Sequence, residues 1–439
     1  MERRKRVFPA IALLACVLLL PACSAGGEEP VEEETRPLIL ATVSGQIDRE
    51  AVDSFNRAHP NTQIEVRDYS ENGTATETGI KRLLTEITAG QIPDILEIGN
   101  NAHRLPMQQL AEKGYLEDLW PYIENDPELG RESLMEAPLK AAEISGGLYE
   151  AFSSVFIDTL VGAESTVGDR YSWTLDELNA AFAAMPEGST VSEYCYTKQD
   201  MLFYLLSMSL DEWVDWDTGR CSFDREDFAA CLEFIDRYHP LAFDWSDAAA
   251  VNEEIWRRTL AGQQMLTHYP ITKLEDVQIL DVVFGGRASF VGYPVADGGT
   301  GSFFCVSGGE LAMSAVCRNK DAAWDFIRRM FLPQGVGGSR TGIPVNAVDF
   351  ENWVKDASYE RPTCFYYGTM PIELHTPTDE ELDRFLDFFN RVGRFTQNDA
   401  AIFGIVKEQC GPYFAGDKTL DETAELIQNR VQLYVNENR

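Results

Sequence analysis

From Pro37 onward the chain alternates two hydrophobic rhythms. Residues 38–43 are a short apolar run of strand type, and Ile47, Ala51, Val52 and Phe55 then recur at helical spacing as far as His59-Pro60. Ile64 and Val66 alternate with polar neighbours, and Ile80, Leu83, Leu84 and Ile87 form a second helical stripe that ends at Gly90. The stretch PDILEIG, residues 93–99, predicts a third strand, followed by a helix as far as Gly114. This β-α-β-α-β-α order predicts a parallel sheet covered by helices.

Residues 152–262 are mostly helical by pattern, with helix starts at Trp173-Thr-Leu-Asp-Glu-Leu and after Asp224. Residues 264–270 and 288–294 read as short strands before a Gly-rich turn. The last third is helical again, with Ala323, Phe326, Ile327 and Met330 on one stripe and Leu420, Ala424, Ile427, Val431 and Tyr434 on another. Strand-type segments at the start and in the middle, with helical blocks between, predict an α/β protein of two lobes built by crossing over and back. Residues 37–152 plus 265–313 would form an α/β lobe, and residues 153–264 plus 314–439 a mainly helical one. A cleft between two such lobes is the natural ligand site.

The beginning of the chain follows a different pattern. Arg3, Arg4, Lys5 and Arg6 precede an apolar run of 14 residues, 7–20, shorter than the roughly 20 a spanning helix needs. The run ends in Leu20-Pro21-Ala22-Cys23, which resembles a bacterial lipobox. That resemblance implies a signal peptide over 1–22, cleavage before Cys23, and a diacylglycerol on its thiol. Residues 23–36 are Gly- and Glu-rich and have no apolar period, so they read as a flexible acidic tether. The expectation is an extracytoplasmic body tied to the membrane by lipid alone.

Removing residues 1–22 leaves 33 basic against 70 acidic residues, a net charge of −37. Such a surface repels phosphate backbones, so nucleic acid is not expected as a partner. Beyond Cys16 and Cys23, seven cysteines remain: Cys195, Cys221, Cys231, Cys305, Cys317, Cys364 and Cys410. Their number is odd and no CxxC occurs, so neither a disulfide framework nor a zinc site is expected. They read as small buried apolar residues.

Five stretches, in order, carry a resemblance that spans nearly the whole chain after Cys23: GQIPDILEIG (90–99), WTLDEL (173–178), GYPVADG (292–298), LAMSAVCRNKDAAWDFI (311–327) and YFAGDKTLDETAELIQNR (413–430). Together they look like the family 1 extracellular solute-binding proteins of ABC importers. The resemblance implies two α/β lobes joined by two or three hinge crossings, a monomer, a carbohydrate ligand and delivery to membrane permease subunits. A cationic solute such as a polyamine, a surface glycoside hydrolase and a purely structural lipoprotein stay open beside it.

A sugar site needs flat apolar faces and planar polar groups. By position, Ser44 and Gln46 follow the first strand, Tyr69 and Asn72 the second, and Asn100, Asn101 and His103 the third. His268 and Tyr269 lie where the resemblance implies a crossing that presents an aromatic. Trp213, Trp216, Tyr366 and Tyr367 are candidates from the second lobe.

Other chemistry finds less support. Residues 411–419 nearly copy a phosphate-binding loop, but Asp417 stands before Lys418 and adds a negative charge where phosphates would sit. Residues 215–226 place acids at positions 1, 3 and 12 of a calcium loop, yet Arg220 replaces the glycine of the sharp turn. A solvated turn, with Asp224 capping the next helix, is the expectation there, and no metal or cofactor is expected. Neither GxSxG nor HExxH occurs, and the chain has five histidines, so an enzyme is not expected.

Overall fold

The structure is a computed structural model that describes residues 36–100, 103–295, 299–334, 342–357, 363–397 and 399–438. The signal segment, Cys23 and nearly all of the expected tether lie outside the described residues, as do Asn101 and residues 296–298. Residues 37–439 form one compact unit.

The first sheet follows the pattern read from the sequence. Strands β1 (Leu38–Thr42), β2 (Ile64–Asp68) and β3 (Ile95–Glu97) pair in parallel in the order β2-β1-β3. Leu38, Leu40 and Ile95 face one apolar core with Val52 and Phe55 of the helix Arg49–Ala58. Ala41, Val43, Leu96 and Ile98 face the opposite core with Ile80, Leu83 and Ile87 of the helix Glu77–Thr88. Burial on both faces is why β1 reads as an apolar run while the edge strand β2 alternates. Past β3, the hairpin β4 (Gly99–Asn100) and β5 (His103–Arg104) turns the chain into the helix Met107–Glu112.

Strand β6 (Ala151–Phe152) closes the far edge of this sheet, and after Ser153 the chain runs straight into β7 (Ser154–Ala163), the centre of a second sheet. A ten-residue strand at this point departs from the helical reading of 152–262. Val155, Ile157 and Val161 of β7 face one core while Leu160 faces the other. A strand buried on both faces gives no period to separate it from a helix. A short hairpin, β8 (Val214–Asp215) with β9 (Arg220–Cys221), follows the helix Lys198–Trp213. Then β10 (Leu266–Ile271), β11 (Ala288–Ser289) and β12 (Phe303–Val306) all pair antiparallel with β7. Only β13 (Glu310–Met313) returns to the first sheet, beside β3 and β6.

The pairing corrects the lobe boundaries: residues 266–306 belong with the second sheet, and the helix Lys320–Ile327 packs on β13 of the first. Strand β14 (Ile343–Pro344) pairs with β7 again, so the chain is back at the second sheet by Ile343. The remaining hairpin, β15 (Thr363–Tyr367) with β16 (Met370–Leu374), packs by Tyr367 and Ile372 against Ile279 and Val283. The second lobe is otherwise helical, and its core gathers Trp173, Leu202, Leu206, Phe228, Ile427 and Val431.

Several local expectations can be placed. Thr174 caps the helix Leu175–Ala183 through a reciprocal bond with Glu177. Asp224 caps nothing: the helix Glu226–Tyr238 starts after Arg225, with no side-chain cap. Asp215 accepts from Thr218 N–H at 2.9 Å, closing the β8–β9 turn on itself. Gly411 lies inside the helix Ala400–Phe414, so no loop forms around it. The seven cysteines are free; five are buried, Cys231 is half-buried and Cys364 exposed. Among the described residues no helix is long and apolar enough to cross a membrane.

One turn supports a mutational test. Gly292 has φ +70, and a Cβ there would stand 2.3 Å from the backbone carbon of Gly301. Its carbonyl accepts from the buried Trp173 indole at 2.9 Å. Gly292→Ala is expected to cost at least about 2 kcal/mol, because a strained φ and a backbone clash act together; a urea midpoint unchanged from the parent chain would refute this.

Candidate functional site

At the carboxyl ends of β1 and β3 one buried carboxylate organises the loops. Glu97 accepts from Thr42 Oγ1 (2.9 Å), Val43 N (2.9 Å), Ser44 N (3.0 Å), Ser44 Oγ (2.8 Å) and Gly99 N (3.2 Å). Ser44 is therefore a clamp within the first lobe, and its hydroxyl is already committed. The turn it fixes leaves Gln46 exposed at a cavity of about 280 Å³, where Ser153 and Ser307 mark two of the crossings between the sheets.

A separate cleft is lined by residues that precede β6 and by segments of the second lobe. The β4–β5 hairpin turns Arg104 inward, and its guanidinium donates to Glu310 on β13 and to Glu150 just before β6, the latter at 2.8 Å. All three residues are at most 3% exposed. Burial opposes the charge on Arg104, but the two carboxyls outweigh it and raise its pKa. Burial pushes Glu310 well above the carboxylate range; Arg104 pulls it back in part and Glu150 adds to the rise. Phe395, from a segment paired with β12, places its ring 5.7 Å from the guanidinium carbon.

The cleft here narrows to a cavity of about 70 Å³, lined by Arg104, Glu143 and Glu150 from the first lobe and by Leu210, Trp216 and Gln397 from the second. Trp216 also walls an adjoining hollow of about 310 Å³ with Ser145 and Tyr149. Chemically the arrangement offers two flat apolar rings beside planar charged groups. Asp399, at the same cavity, is occupied with capping Ala401 N (2.9 Å) and Ile402 N (3.0 Å).

His268 on β10 marks a polar cluster inside the second lobe. Its Nε2 lies 2.8 Å from Asp158 Oδ1 on β7, its Nδ1 3.0 Å from the Tyr196 hydroxyl, and its backbone N–H donates to Glu193 at 2.9 Å. Burial works against the imidazolium, but Asp158, and then Glu193, raise the His268 pKa above its ordinary value. Burial pushes Glu193 up to about 7, against the pull of His268. The Tyr204 ring lies tilted 4.6 Å from that of His268, and the half-buried rings of Phe203 and Phe403 meet edge-on at 5.2 Å beyond it.

Of the expected residues, Trp216 is in the wall of this cavity. His103 precedes Arg104 on β5, opposite Asn100, and does not line it. The others stand elsewhere. Tyr69 is 2% exposed, with its hydroxyl on Glu86 in the first-lobe core, and Asn72 is at an exposed turn with φ +55. Trp213 is buried in the second lobe with its indole on Ser209 at 3.1 Å. Tyr269 alternates away from His268, and its hydroxyl donates to Asp276 at 3.1 Å. Tyr366 is exposed and Tyr367 buried in the β15–β16 hairpin, away from the cleft.

Sequence reasoning passed over Arg104, Glu150, Glu310 and Phe395. A signal was present: Glu150 interrupts an apolar run and Glu310 opens one, where a charge must find a partner. Among the described residues no group of three or more His, Cys, Asp or Glu side chains could hold a metal ion.

No protein-family model and no curated protein matches this chain. Solved structures do. The sugar-binding protein MalE from Xanthomonas citri superposes with a TM-score of 0.54 at 15% identity, over 92% of this chain and 98% of that one. A periplasmic oligogalacturonide-binding protein from Yersinia enterocolitica gives 0.53 at 15% identity, over 92% and 100%. A chain described as a de novo designed cysteine esterase gives 0.52 at 15% identity, over 92% and 99%, so the likeness speaks to architecture and not to chemistry. The architecture of this chain is the two-lobed fold of the periplasmic binding proteins, each lobe a sheet flanked by helices, joined by a hinge of several crossings.

Proposed function

We propose that the protein is a membrane-tethered receptor that captures a small solute between its lobes and delivers it to an ABC importer, with a sugar or oligosaccharide as the ligand class. The observation that carries this reading is the cleft itself, where the rings of Trp216 and Phe395 stand beside the guanidinium of Arg104 and the amide of Gln397. Saccharides present C–H faces to aromatic rings and hydroxyls to planar polar groups, and both are offered within one narrow space. Ligand touching both lobes favours their closed arrangement, which permease subunits would recognise. The receptor acts as a monomer, held at the outer membrane face by lipid on Cys23.

A cationic solute such as a polyamine is the second reading, favoured by Glu143 in the cleft wall and by the net charge of −34. Hydrolysis of a glycoside has less support: Glu150 and Glu310 share one guanidinium and are at most 3% exposed, which leaves neither free to attack a sugar.

The test is a thermal-shift and calorimetry panel of mono-, di- and oligosaccharides, polyamines and peptides, on protein lacking residues 1–23. A ligand at about 100 times its Kd adds roughly 2.7 kcal/mol of stability, a readable shift. If every sugar is silent while spermidine shifts the melt, the saccharide class is wrong; if a sugar is consumed, the receptor reading is. Trp216→Phe is expected to weaken the solute that binds by about tenfold, or about 1.4 kcal/mol, through loss of ring area in the wall. Unchanged affinity in that variant would move the site elsewhere.

A further inference from the structure

A cavity of about 780 Å³ lies outside the cleft, within the second lobe, between the helices Leu175–Ala183, Lys198–Trp213 and Glu226–Tyr238. That volume is within the range of small-molecule sites, about 300–1,000 Å³. Its floor is apolar, formed by Leu202, Leu206, Phe228 and Ile235 together with the Trp213 ring. Trp213 is fixed in place: Phe228 meets it edge-on at 5.2 Å, and its indole N–H donates to Ser209, whose hydroxyl in turn donates to Leu205 O at 2.7 Å.

The mouth has the opposite character. Asp176, Glu212, Asp224, Glu226 and Asp227 line it against a single cation, Arg225. Arg225 is itself bonded to Asp227, and Glu212 is held by Arg394 at 2.9 Å. Asp176 and Glu226 lie in the first turns of their helices, whose dipoles offset part of their charge. Asp224 precedes its helix and is exposed. The Trp213 ring already attracts a cation, since the Arg225 guanidinium carbon stands 5.9 Å from its centroid.

We propose that this cavity is a second ligand site, separate from the interlobe cleft, for a small hydrophobic cation: an alkyl or aryl ammonium whose apolar body fills the floor while its charge rests among the mouth carboxylates and the Trp213 face. An apolar floor alone would accept any small hydrophobe. The excess of carboxylates at the mouth selects the positive head and repels a negative one.

Three probes that share one body test the site: 4-phenylbutylammonium, 4-phenylbutan-1-ol and 4-phenylbutyrate, titrated into the full chain by calorimetry and tryptophan fluorescence. The ammonium is expected to bind one to one and at least about tenfold more tightly than the carboxylate, with the alcohol between them. Ala230→Phe, which places a ring in the cavity, is expected to abolish binding of all three. The exposed pair Asp224→Asn with Glu226→Gln leaves the fold intact and is expected to narrow the preference for ammonium over carboxylate to below about threefold. Saturable binding of none of the probes up to about 10 mM, which is at best a few kcal/mol of affinity, overturns the proposal. So does equal binding of all three, or full binding in a folded Ala230→Phe protein. A solute found in the cleft should bind the Asp224/Glu226 variant unchanged, so the two sites fail or succeed independently.

Discussion

Arg104→Ala is expected to lower the unfolding free energy by about 3–5 kcal/mol at neutral pH, the cost of stranding a buried charge whose partner has gone. Glu150 and Glu310 each lie at most 3% exposed on that one guanidinium. Without it, no cation is left beside these buried carboxyls, which must be neutral or draw water into the cleft floor. The loss should shrink as pH falls from 7 towards about 4.5, where a carboxyl protonates at little cost. Replacing all three groups by Met, Gln and Gln should recover most of the stability, since an uncharged trio needs no counter-ion. Urea unfolding followed by tryptophan fluorescence measures each variant. A loss under about 1 kcal/mol for Arg104→Ala, the size of an exposed pair, would show that the three side chains are better hydrated than their burial indicates.

The second large effect is on pH dependence, and its sign follows from Glu193. Burial lifts this carboxyl from 4.5 to about 7 in the folded chain. Between those values the folded state binds more protons than the unfolded one, so stability falls as pH rises from about 4.5 to 7, by an amount on the order of 3 kcal/mol. His268 is also raised, and acts in the same direction: its contribution is present below its unfolded value and lost as pH climbs through the folded one. Buried His239, lowered from 6.5 to about 4, acts in the opposite direction, so the Glu193 part is read by difference. The urea stability of the parent relative to Glu193→Gln, which keeps an acceptor for the His268 N–H, should therefore be greater at pH 5 than at pH 7.5. A difference that grows between pH 5 and 7.5 would reverse the sign and place the Glu193 charge in contact with water.

The first lobe was legible because its strands and helices carry distinct periods. Val52 and Phe55 against β1, and Ile80, Leu83 and Ile87 on the opposite face, are where the 3.6-residue spacing puts them. The second lobe was read less well for the converse reason. Residues 154–163 are buried along both faces, so their polar members Ser154, Asp158 and Thr159 fall at no two-residue period, and a strand passes for part of a helical block. That one misreading also displaced the lobe boundary, since β10, β11 and β12 have no partner in sequence terms once β7 is overlooked. Among the candidate residues, rings chosen for their chemistry mostly proved to be packing: Tyr69, Trp213 and Tyr367 are each under 10% exposed outside the cleft. The charged trio escaped notice because Arg and Glu are ordinarily surface residues. Only three-dimensional closure shows that Glu310 and Arg104, 206 positions apart, share one hydrogen bond.

The position of β7 has a consequence for the order of folding. It takes partners from residues 266–271, 288–289, 303–306 and 343–344. As the chain emerges, the parallel core of the first sheet can close from its first hundred residues, whereas β7, complete at Ala163, meets its first partner only at Leu266 and its last at Ile343. Contacts at such separations close slowly, because the loop entropy must be met before any pairing rewards it. The second sheet therefore cannot be completed until most of the chain has been made, whatever the first has already done.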